Sequence, residues 1–252
     1  MNPVQCLQFD VGNSSSKWRL MADGELVTRG VYRRDDEDSR KRLLACSDAV
    51  ARIWIASVAS EEAEFQLGTL LRERWQIEPW FARSEAHTGA LVNSYQQPLR
   101  MGVDRWLAML GAWYRQPGRL CVVDAGSALT IDLVAASGRH EGGYIIPGPS
   151  LMERALLLDT DRVRFAEEAV YDLAPGTSTA EAVRHGIALA QAAAVRVAIE
   201  QAGEPQPSLY LCGGGAETLR RLLGGAGEWI PDLVFDGLEV MAAAQGRDAG
   251  DD

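Results

Sequence analysis

The feature that most constrains this chain is a pattern that occurs twice, a short apolar run ending in Asp-x-Gly. The first run ends at Asp10-Val11-Gly12 and the second at Asp124-Ala125-Gly126. Glycine lets a backbone turn sharply after a strand, and further strand-like sequence follows each turn. The repetition predicts two similar halves, each built on a strand, a tight turn and a second strand.

A breaker at Gln116-Pro117-Gly118 separates the two halves. We predict an α/β protein of two domains, residues 1–116 and 117–252. Apolar spacing predicts helices over 61–75, 104–114, 150–158 and 180–201, and shorter apolar runs predict strands at 129–135 and 144–146. The tail from about residue 245 is acidic and glycine-containing, which is typical of disordered sequence.

The net charge of -10 excludes nucleic acid and anionic membranes as default partners, because both would be repelled. The four cysteines lie far apart, without CxxC pairs, which favours buried thiols over zinc ligands or disulfides. No signal peptide pattern and no run of about 18 apolar residues is visible. We therefore predict a cytoplasmic protein.

The first Asp-x-Gly turn opens a segment suited to phosphate binding. Backbone N–H groups in such a turn form an anion-binding nest, hydroxyl and amide groups add donors, and Lys17 adds positive charge. Asp10 is placed to hold Mg²⁺, directly or through water. Taken alone, the segment is equally explained as a β-hairpin turn with a capping aspartate. Its residues are Asp10, Val11, Gly12, Asn13, Ser14, Ser15, Ser16 and Lys17.

Two further glycine turns follow. Asp124-x-Gly126-Ser127 offers a second carboxylate, and Gly213-Gly214-Gly215 joins a strand to a helix whose N-terminus adds positive potential. The triple glycine alone is explained as a plain connection. The sequence contains neither GxxxxGK[ST] nor a GxGxxG after a strand, which excludes a Walker-type loop and weakens a dinucleotide-binding interpretation.

Three such turns in this order resemble the phosphate- and adenosine-binding turns of the actin-like and sugar-kinase ATPase superfamily. Three further motifs make the resemblance specific to one family. They are Gly102-Val103-Asp104-Arg105-Trp106, the run from Gly142 to Gly148, and Thr179-x-x-Ala-x-x-x-Gly186. Together these motifs resemble type III pantothenate kinases over nearly the full chain.

The resemblance implies two related actin-like (ribonuclease H-like) domains, with mixed sheets flanked by helices and an ATP cleft between them. It implies ATP-dependent phosphorylation of pantothenate to 4′-phosphopantothenate, the first step of coenzyme A biosynthesis. It also implies a homodimer in which one subunit helps to cover the other's pantothenate pocket.

Position by position, the resemblance makes Asp104 the base that accepts the proton of the pantothenate hydroxyl. The segment from Asp10 to Lys17, with Ser127, would bind ATP and the divalent ion, and Asp124 would bind a monovalent cation, K⁺ or NH₄⁺. Ser127 stands where the family commonly has Thr, and we expect ATP binding to survive this change. The pantothenate pocket would be lined by Tyr95, Gly102, Val103, Arg105 and Thr179.

Simple chemistry agrees with two of these roles. A primary alcohol does not ionise at neutral pH, so a carboxylate must orient it and take its proton late. Arg105 has the planar fork that suits a carboxylate such as that of pantothenate. Asp104 also suits the N-cap of the helix it opens, and both roles can coexist. Trp106 is expected in the core.

Three histidines, His87, His140 and His185, have no serine or carboxylate neighbour with the logic of a catalytic triad, so we predict no chemistry for them.

Two other functions use the same turns. One is a different actin-like phosphotransferase, such as a sugar kinase or a polyphosphate phosphatase, with another acceptor pocket. The other is a non-catalytic, nucleotide-binding accessory or regulatory protein. The three intact carboxylates of Asp10, Asp104 and Asp124 favour the kinase.

Overall fold

The structure is a computed structural model that describes residues 3–12, 16–159, 163–165 and 167–246. The chain forms two compact units. The first comprises Met1–Gly89, Tyr95–Gly111 and Val234–Asp252, and the second comprises Ala90–Ser94 and Ala112–Leu233. The predicted domain boundary after residue 116 stays a prediction, and most of the predicted tail lies outside the described residues.

The elements follow one another in mixed order along the described chain. The strands are β1 (Gln5–Val11), β2 (Ser16–Ala22), β3 (Glu25–Tyr32), β4 (Val50–Ser57), β5 (Trp80–Phe81), β6 (His87–Thr88), β7 (Leu91–Val92), β8 (Leu120–Ala125), β9 (Ala128–Val134), β10 (His140–Pro147), β11 (Ser208–Cys212) and β12 (Glu228–Trp229). The helices are α1 (Glu37–Leu44), α2 (Glu61–Trp75), α3 (Val103–Arg115), α4 (Pro149–Asp159), α5 (Thr179–Ala202), α6 (Ala216–Leu222) and α7 (Leu233–Ala244).

Each unit contains a five-stranded mixed sheet, and the two sheets have the same topology. The order is β3-β2-β1-β4-β5 in the first and β10-β9-β8-β11-β12 in the second. In each, the central strand pairs antiparallel with the strand that follows it and parallel with a later one. The predicted α/β class with mixed sheets flanked by helices is confirmed.

Local sequence explains several element boundaries. Asp23 and Gly24, both at positive φ (49° and 83°), join β2 to β3 in a two-residue turn of the kind that suits twisted hairpins. Ser60 caps α2 by accepting the N–H of Ala63, and α2 ends at Gln76 in the left-handed region.

Each unit has its own apolar core. In the first, Leu7, Phe9 and Leu20 of the sheet cluster with the buried leucines of α1 and α2. In the second, Val123 and Ile131 cluster with the small residues of α5 and with α6. Three of the four cysteines are buried, as predicted.

Helix α5 is the one described helix that is long and apolar enough to cross a membrane by length and composition. One face of it, including Ile187, Ala192 and Val195, is buried in the second unit. A core helix meets the same criterion, so the feature is weak evidence for a span.

Candidate functional site

The described residues of the segment predicted to bind phosphate lie on or next to the paired strands β1 and β2 of the first unit. Asp10 is directly opposite Lys17, and the buried Val11 is opposite the buried Ser16. Gly12 follows β1, while Asn13, Ser14 and Ser15 lie outside the described residues. The hairpin therefore holds a carboxylate and an ammonium group side by side on neighbouring strands.

Asp10 is the most perturbed carboxylate of this hairpin. Burial raises its pKa to about 6, the opposing charge of Lys17 lowers the pKa, and the negative charge of Asp104 raises it. Desolvation disfavours a charged carboxylate, and a nearby like charge does the same. Asp10 and Asp104 thus interact electrostatically within the first unit.

Asp104 lies in the first turn of α3, which begins at Val103 directly after Gly102. Its Oδ1 atom accepts the backbone N–H of Arg105 at 2.7 Å. Asp104 is thus the second helical residue and not the residue that precedes the helix. A Cβ at position 102 would lie 2.6 Å from Oδ1 of Asp104, so glycine leaves room for this carboxylate.

Arg105 is buried, with a relative exposure of 5%. Its Nη1 atom donates to the hydroxyl of Tyr95 at 3.0 Å, and its guanidinium carbon lies 5.8 Å from the centre of the Tyr95 ring. Buried guanidinium groups need such partners to offset their desolvation. The structure thus brings together two residues predicted to contact pantothenate, beside the buried Val103.

Tyr95 also borders an open cavity of about 450 Å³. Its other lining residues, Gln96, Gln97 and Arg100, are not among the predicted site residues. The available signal was a run of exposed polar side chains leading into the Gly102–Trp106 motif. Trp106 itself is fully buried, as predicted.

In the second unit, the Asp124 turn lies against the triple glycine. Strand β8 runs parallel to β11 with Asp124 beside Cys212. A Cβ on Gly213 would lie 2.2 Å from Oδ1 of Asp124, and Gly213 has a φ of 87°. The N–H of Gly215 donates to the carbonyl of Ala125 at 2.8 Å. Two of the three predicted glycine turns therefore meet, and only glycine at position 213 permits it.

Ser127 and Thr179 also belong to the second unit. Ser127 is exposed, and its carbonyl oxygen accepts the N–H of Gly148 at 3.0 Å. Thr179 is exposed at the first position of α5, and Ser178 is the N-cap, accepting the N–H of Glu181 at 3.2 Å. Neither side chain is committed to the core.

The residues present fit the divalent ion that the kinase family implies. The described residues contain no group of three or more His, Cys, Asp or Glu side chains arranged for a metal. A Mg²⁺ ion bound with a nucleotide needs only one or two carboxylates, the rest being phosphate and water oxygens, and the carboxylate of Asp10 is suited to such an ion. K⁺ takes backbone carbonyl oxygens in place of water, and at Gly213 the carboxylate of Asp124 and the carbonyl of Ala125 converge.

The prediction that no histidine has triad neighbours is wrong for His140. Its Nδ1 atom lies 2.8 Å from Oγ of Ser94, and its Nε2 atom lies 3.0 Å from Oδ1 of Asp132. Ser94 is 46 residues away in sequence. A local sequence pattern cannot predict a contact between residues so far apart, because the contact depends on the packing of the second unit.

Comparison with known proteins identifies the family. Residues 6–201 match the family model described as "Type III pantothenate kinase". A type III pantothenate kinase of Marinobacter nauticus is 40% identical over 240 residues, which is 94% of this chain and 98% of the relative.

Solved structures show the fold. A protein of Campylobacter jejuni named as a Baf family transcriptional activator aligns with a TM-score of 0.62 at 22% identity, covering 96% of this chain and 99% of the other. Component A of the (R)-2-hydroxyglutaryl-CoA dehydratase of Acidaminococcus fermentans aligns with a TM-score of 0.55 at 14% identity, covering 98% and 99%. The predicted actin-like fold is confirmed, and by the family match the chain belongs to the type III pantothenate kinases.

Proposed function

We propose that the protein transfers the γ-phosphoryl group of ATP to the hydroxyl of pantothenate. The products are ADP and 4′-phosphopantothenate, and the reaction is the first step of coenzyme A biosynthesis. Family membership supports the reaction. The observation that carries it is the electrostatic interaction of Asp104, the candidate base, with Asp10 of the candidate phosphate-binding hairpin.

Asp104 is the proposed base. It orients the pantothenate hydroxyl and accepts its proton late in the transfer. In a loose phosphoryl transition state such a carboxylate acts mainly by positioning the nucleophile. Its hydrogen bond from the N–H of Arg105 holds one carboxylate oxygen in place.

The hairpin that begins at Asp10 is the proposed phosphate-binding element, with Lys17 as a positive charge and Ser127 as a further ATP contact. The residues are Asp10, Val11, Gly12, Asn13, Ser14, Ser15, Ser16 and Lys17. A bound Mg²⁺ ion would neutralise phosphate charge, and Asp10 would hold it directly or through water. Asp124 would hold K⁺ or NH₄⁺.

The pantothenate pocket is proposed to include Gly102, Val103 and Thr179. Arg105 pairs with the pantothenate carboxylate, and Tyr95 keeps the guanidinium fixed through its hydroxyl. Since Arg105 is already buried and oriented, little side-chain entropy is lost when the substrate binds.

We propose a cytoplasmic homodimer whose substrates are ATP and pantothenate, without nucleic acid or membrane partners. The net charge of -10 supports the last point.

Asp104→Asn tests the proposal. The amide is close in shape but cannot take a proton, so we expect kcat to fall by about 10²-fold or more, with ATP affinity retained. The measurements are ADP release with pantothenate, Mg²⁺ and K⁺, and calorimetric titration with a non-hydrolysable ATP analogue.

The exposed Asp35 offers a matched control, since Asp35→Asn makes the same chemical change far along the chain from the motif. Unchanged turnover in Asp104→Asn would remove Asp104 from the chemistry. In the unmodified protein, activity on a sugar with none on pantothenate would show another acceptor, and ATP binding without turnover in K⁺ would indicate a non-catalytic protein.

A further inference from the structure

Ser94, His140 and Asp132 form a linear chain of side chains within the second unit. The hydroxyl of Ser94 lies 2.8 Å from one ring nitrogen of His140, and the carboxylate of Asp132 lies 3.0 Å from the other. His140 has a relative exposure of 0% and Asp132 of 2%. Ser94, by contrast, is exposed. The acid and the imidazole are thus buried behind a serine that solvent reaches.

This order of groups is the one that activates a serine. When Nε2–H of His140 donates a hydrogen bond to Asp132, the proton of the neutral imidazole is on Nε2. Nδ1 then carries the lone pair that can accept the proton of Ser94. The buried carboxylate fixes this tautomer and stabilises the imidazolium that forms. A nucleophile, a base in hydrogen-bond reach and a third group that orients the base define such sites on unrelated folds.

The elements hold the three groups in place without the proposed kinase residues. Asp132 and His140 lie on the paired strands β9 and β10, and a bulge after His140 shifts the register there. The bridge of Val92 to Arg139, with the N–H of Val92 donating to Gly138 at 2.9 Å, ties the segment that ends in Ser94 to the start of β10. A Cβ at Gly138 would lie 2.3 Å from the carbonyl of Ala90, so this approach depends on glycine.

We propose that Ser94 is a nucleophilic serine that is acylated by activated carboxylic esters. Its Oγ atom bonds to the carbonyl carbon of the ester while the bond from that carbon to the leaving oxygen breaks. The Ser94 proton passes to Nδ1 of His140, and the leaving group departs with the electron pair. Water then hydrolyses the acyl-serine: its oxygen stays on the released acid, the imidazolium returns its proton to Oγ of Ser94, and one water proton passes to the solvent. This reactivity is independent of phosphoryl transfer.

The burial of His140 decides which esters react. An imidazole behind the serine accepts the serine proton readily, but it is poorly placed to protonate a departing alkoxide. A phenolate such as p-nitrophenolate leaves without a proton. Donors that stabilise the oxyanion contribute about 10²–10³-fold each, and no such donor is assigned to Ser94. We therefore expect slow turnover and an accumulating acyl-enzyme.

The test is exposure of the full chain to p-nitrophenyl acetate, with release of p-nitrophenolate followed by absorbance. We expect a burst of about one equivalent per chain, the stoichiometry of a single acyl-enzyme, and one acetyl group mapped to Ser94 by peptide mass spectrometry. Ser94→Ala abolishes the burst. Asp132→Asn slows it by at least about tenfold, because the tautomer is no longer fixed.

Ser137→Ala is the matched control, since Ser137 is an exposed serine in the turn before β10, and it keeps the burst. Circular dichroism and thermal melting establish that each variant is folded. The proposal is overturned if the folded parent chain shows no burst, if the acetyl group maps elsewhere, or if folded Asp132→Asn reacts at the parent rate.

Discussion

Among single residues, Asp10 is a proposed functional carboxylate whose ionisation lowers the stability of the folded protein. Burial and Asp104 both favour its neutral form, and the ammonium of Lys17 only partly compensates, so its pKa is about 6 instead of 3.8. At neutral pH the folded protein therefore carries an ionised carboxylate in an environment that disfavours the charge. A substrate-bound cation would supply the missing compensation.

Asp10→Asn should raise the stability of the nucleotide-free protein at pH 7.5. Below pH 3.8 the carboxyl is neutral in both states and has no effect. Between pH 3.8 and about 6 the unfolded chain ionises first, so the parent loses stability as pH rises. The loss totals on the order of 3 kcal/mol above pH 6. Urea unfolding in EDTA at pH 4 and pH 7.5 measures the difference.

Asp35→Asn again serves as the control, because Asp35 is exposed. Its stability should follow the pH dependence of the parent. Equal pH dependence in Asp10→Asn and the parent would show that Asp10 is not destabilised by ionisation.

Among the elements, the strand ends carry the proposed chemistry, and glycines set how closely they approach. Just after β11, the backbone of Gly213 passes so near the carboxylate of Asp124, on β8, that a Cβ would lie 2.2 Å from Oδ1. Any side chain at position 213 would meet that carboxylate and adopt a φ that L-residues rarely adopt.

Gly213→Ala should therefore lower the free energy of unfolding by at least about 2 kcal/mol, from backbone strain and the clash together. If Asp124 holds the monovalent cation, the K⁺ concentration for half-maximal activity should rise as well. Urea unfolding and a K⁺ titration of turnover measure the two effects separately.

The neighbouring Gly214 provides the control, since a Cβ there meets nothing within 4 Å. Gly214→Ala should leave stability and K⁺ dependence close to those of the parent. A Gly213→Ala protein as stable as Gly214→Ala would contradict the packing described for Asp124.

The elements also show how far sequence reasoning reaches. Helices α2, α3, α4 and α5 lie within one or two residues of their predicted bounds, because apolar period and caps such as Ser178 are local signals. Strand β10 was predicted only at 144–146 and spans His140–Pro147, since Gly142 and Gly143 lack strand propensity and pairing with β9 holds them extended.

In the candidate site as well, local sequence predicted some parts, and other parts depend on residues that are distant in sequence. Short contiguous motifs were enough to predict the turns at Asp10 and Asp124 and the first turn of α3. The Arg105–Tyr95 contact and the Ser94–His140–Asp132 chain depend on residues that are distant in sequence. Period and turn chemistry carry no information about such pairs.

For the whole molecule, the notable feature is that the first unit is completed by the end of the chain. Helix α7 packs on α3 so closely that a Cβ on Gly237 would lie 1.9 Å from the carbonyl of Leu107. The guanidinium of Arg19 bonds Gln8 and Glu239 and lies 4.7 Å from the centre of the Phe235 ring. The contacts of Arg19 thus connect strands β1 and β2 to helix α7.

A chain that ends at residue 232 should therefore lose the fold of the first unit. The truncation removes Val234, Phe235, Leu238 and Met241, all buried. At about 1.5–3 kcal/mol each, their loss rivals the total stability of about 5–15 kcal/mol for a typical protein. Limited proteolysis and thermal melting should show early cleavage within residues 1–111.

A chain that ends at residue 246 keeps α7 entire and is the matched control, expected to melt like the parent. If the protein ending at residue 232 melted normally and resisted protease, the last helix would be dispensable for the first unit.

The late arrival of α7 has a consequence for synthesis. A nascent chain exposes the surface of α3 around Leu107 and the side chain of Arg19 throughout the translation of the second unit. The first unit consequently stays incompletely folded, with apolar surface exposed, while the second unit is translated. Domains more often fold in the order in which they emerge from the ribosome. A chaperone that shields this apolar face until release should therefore raise the yield of native protein.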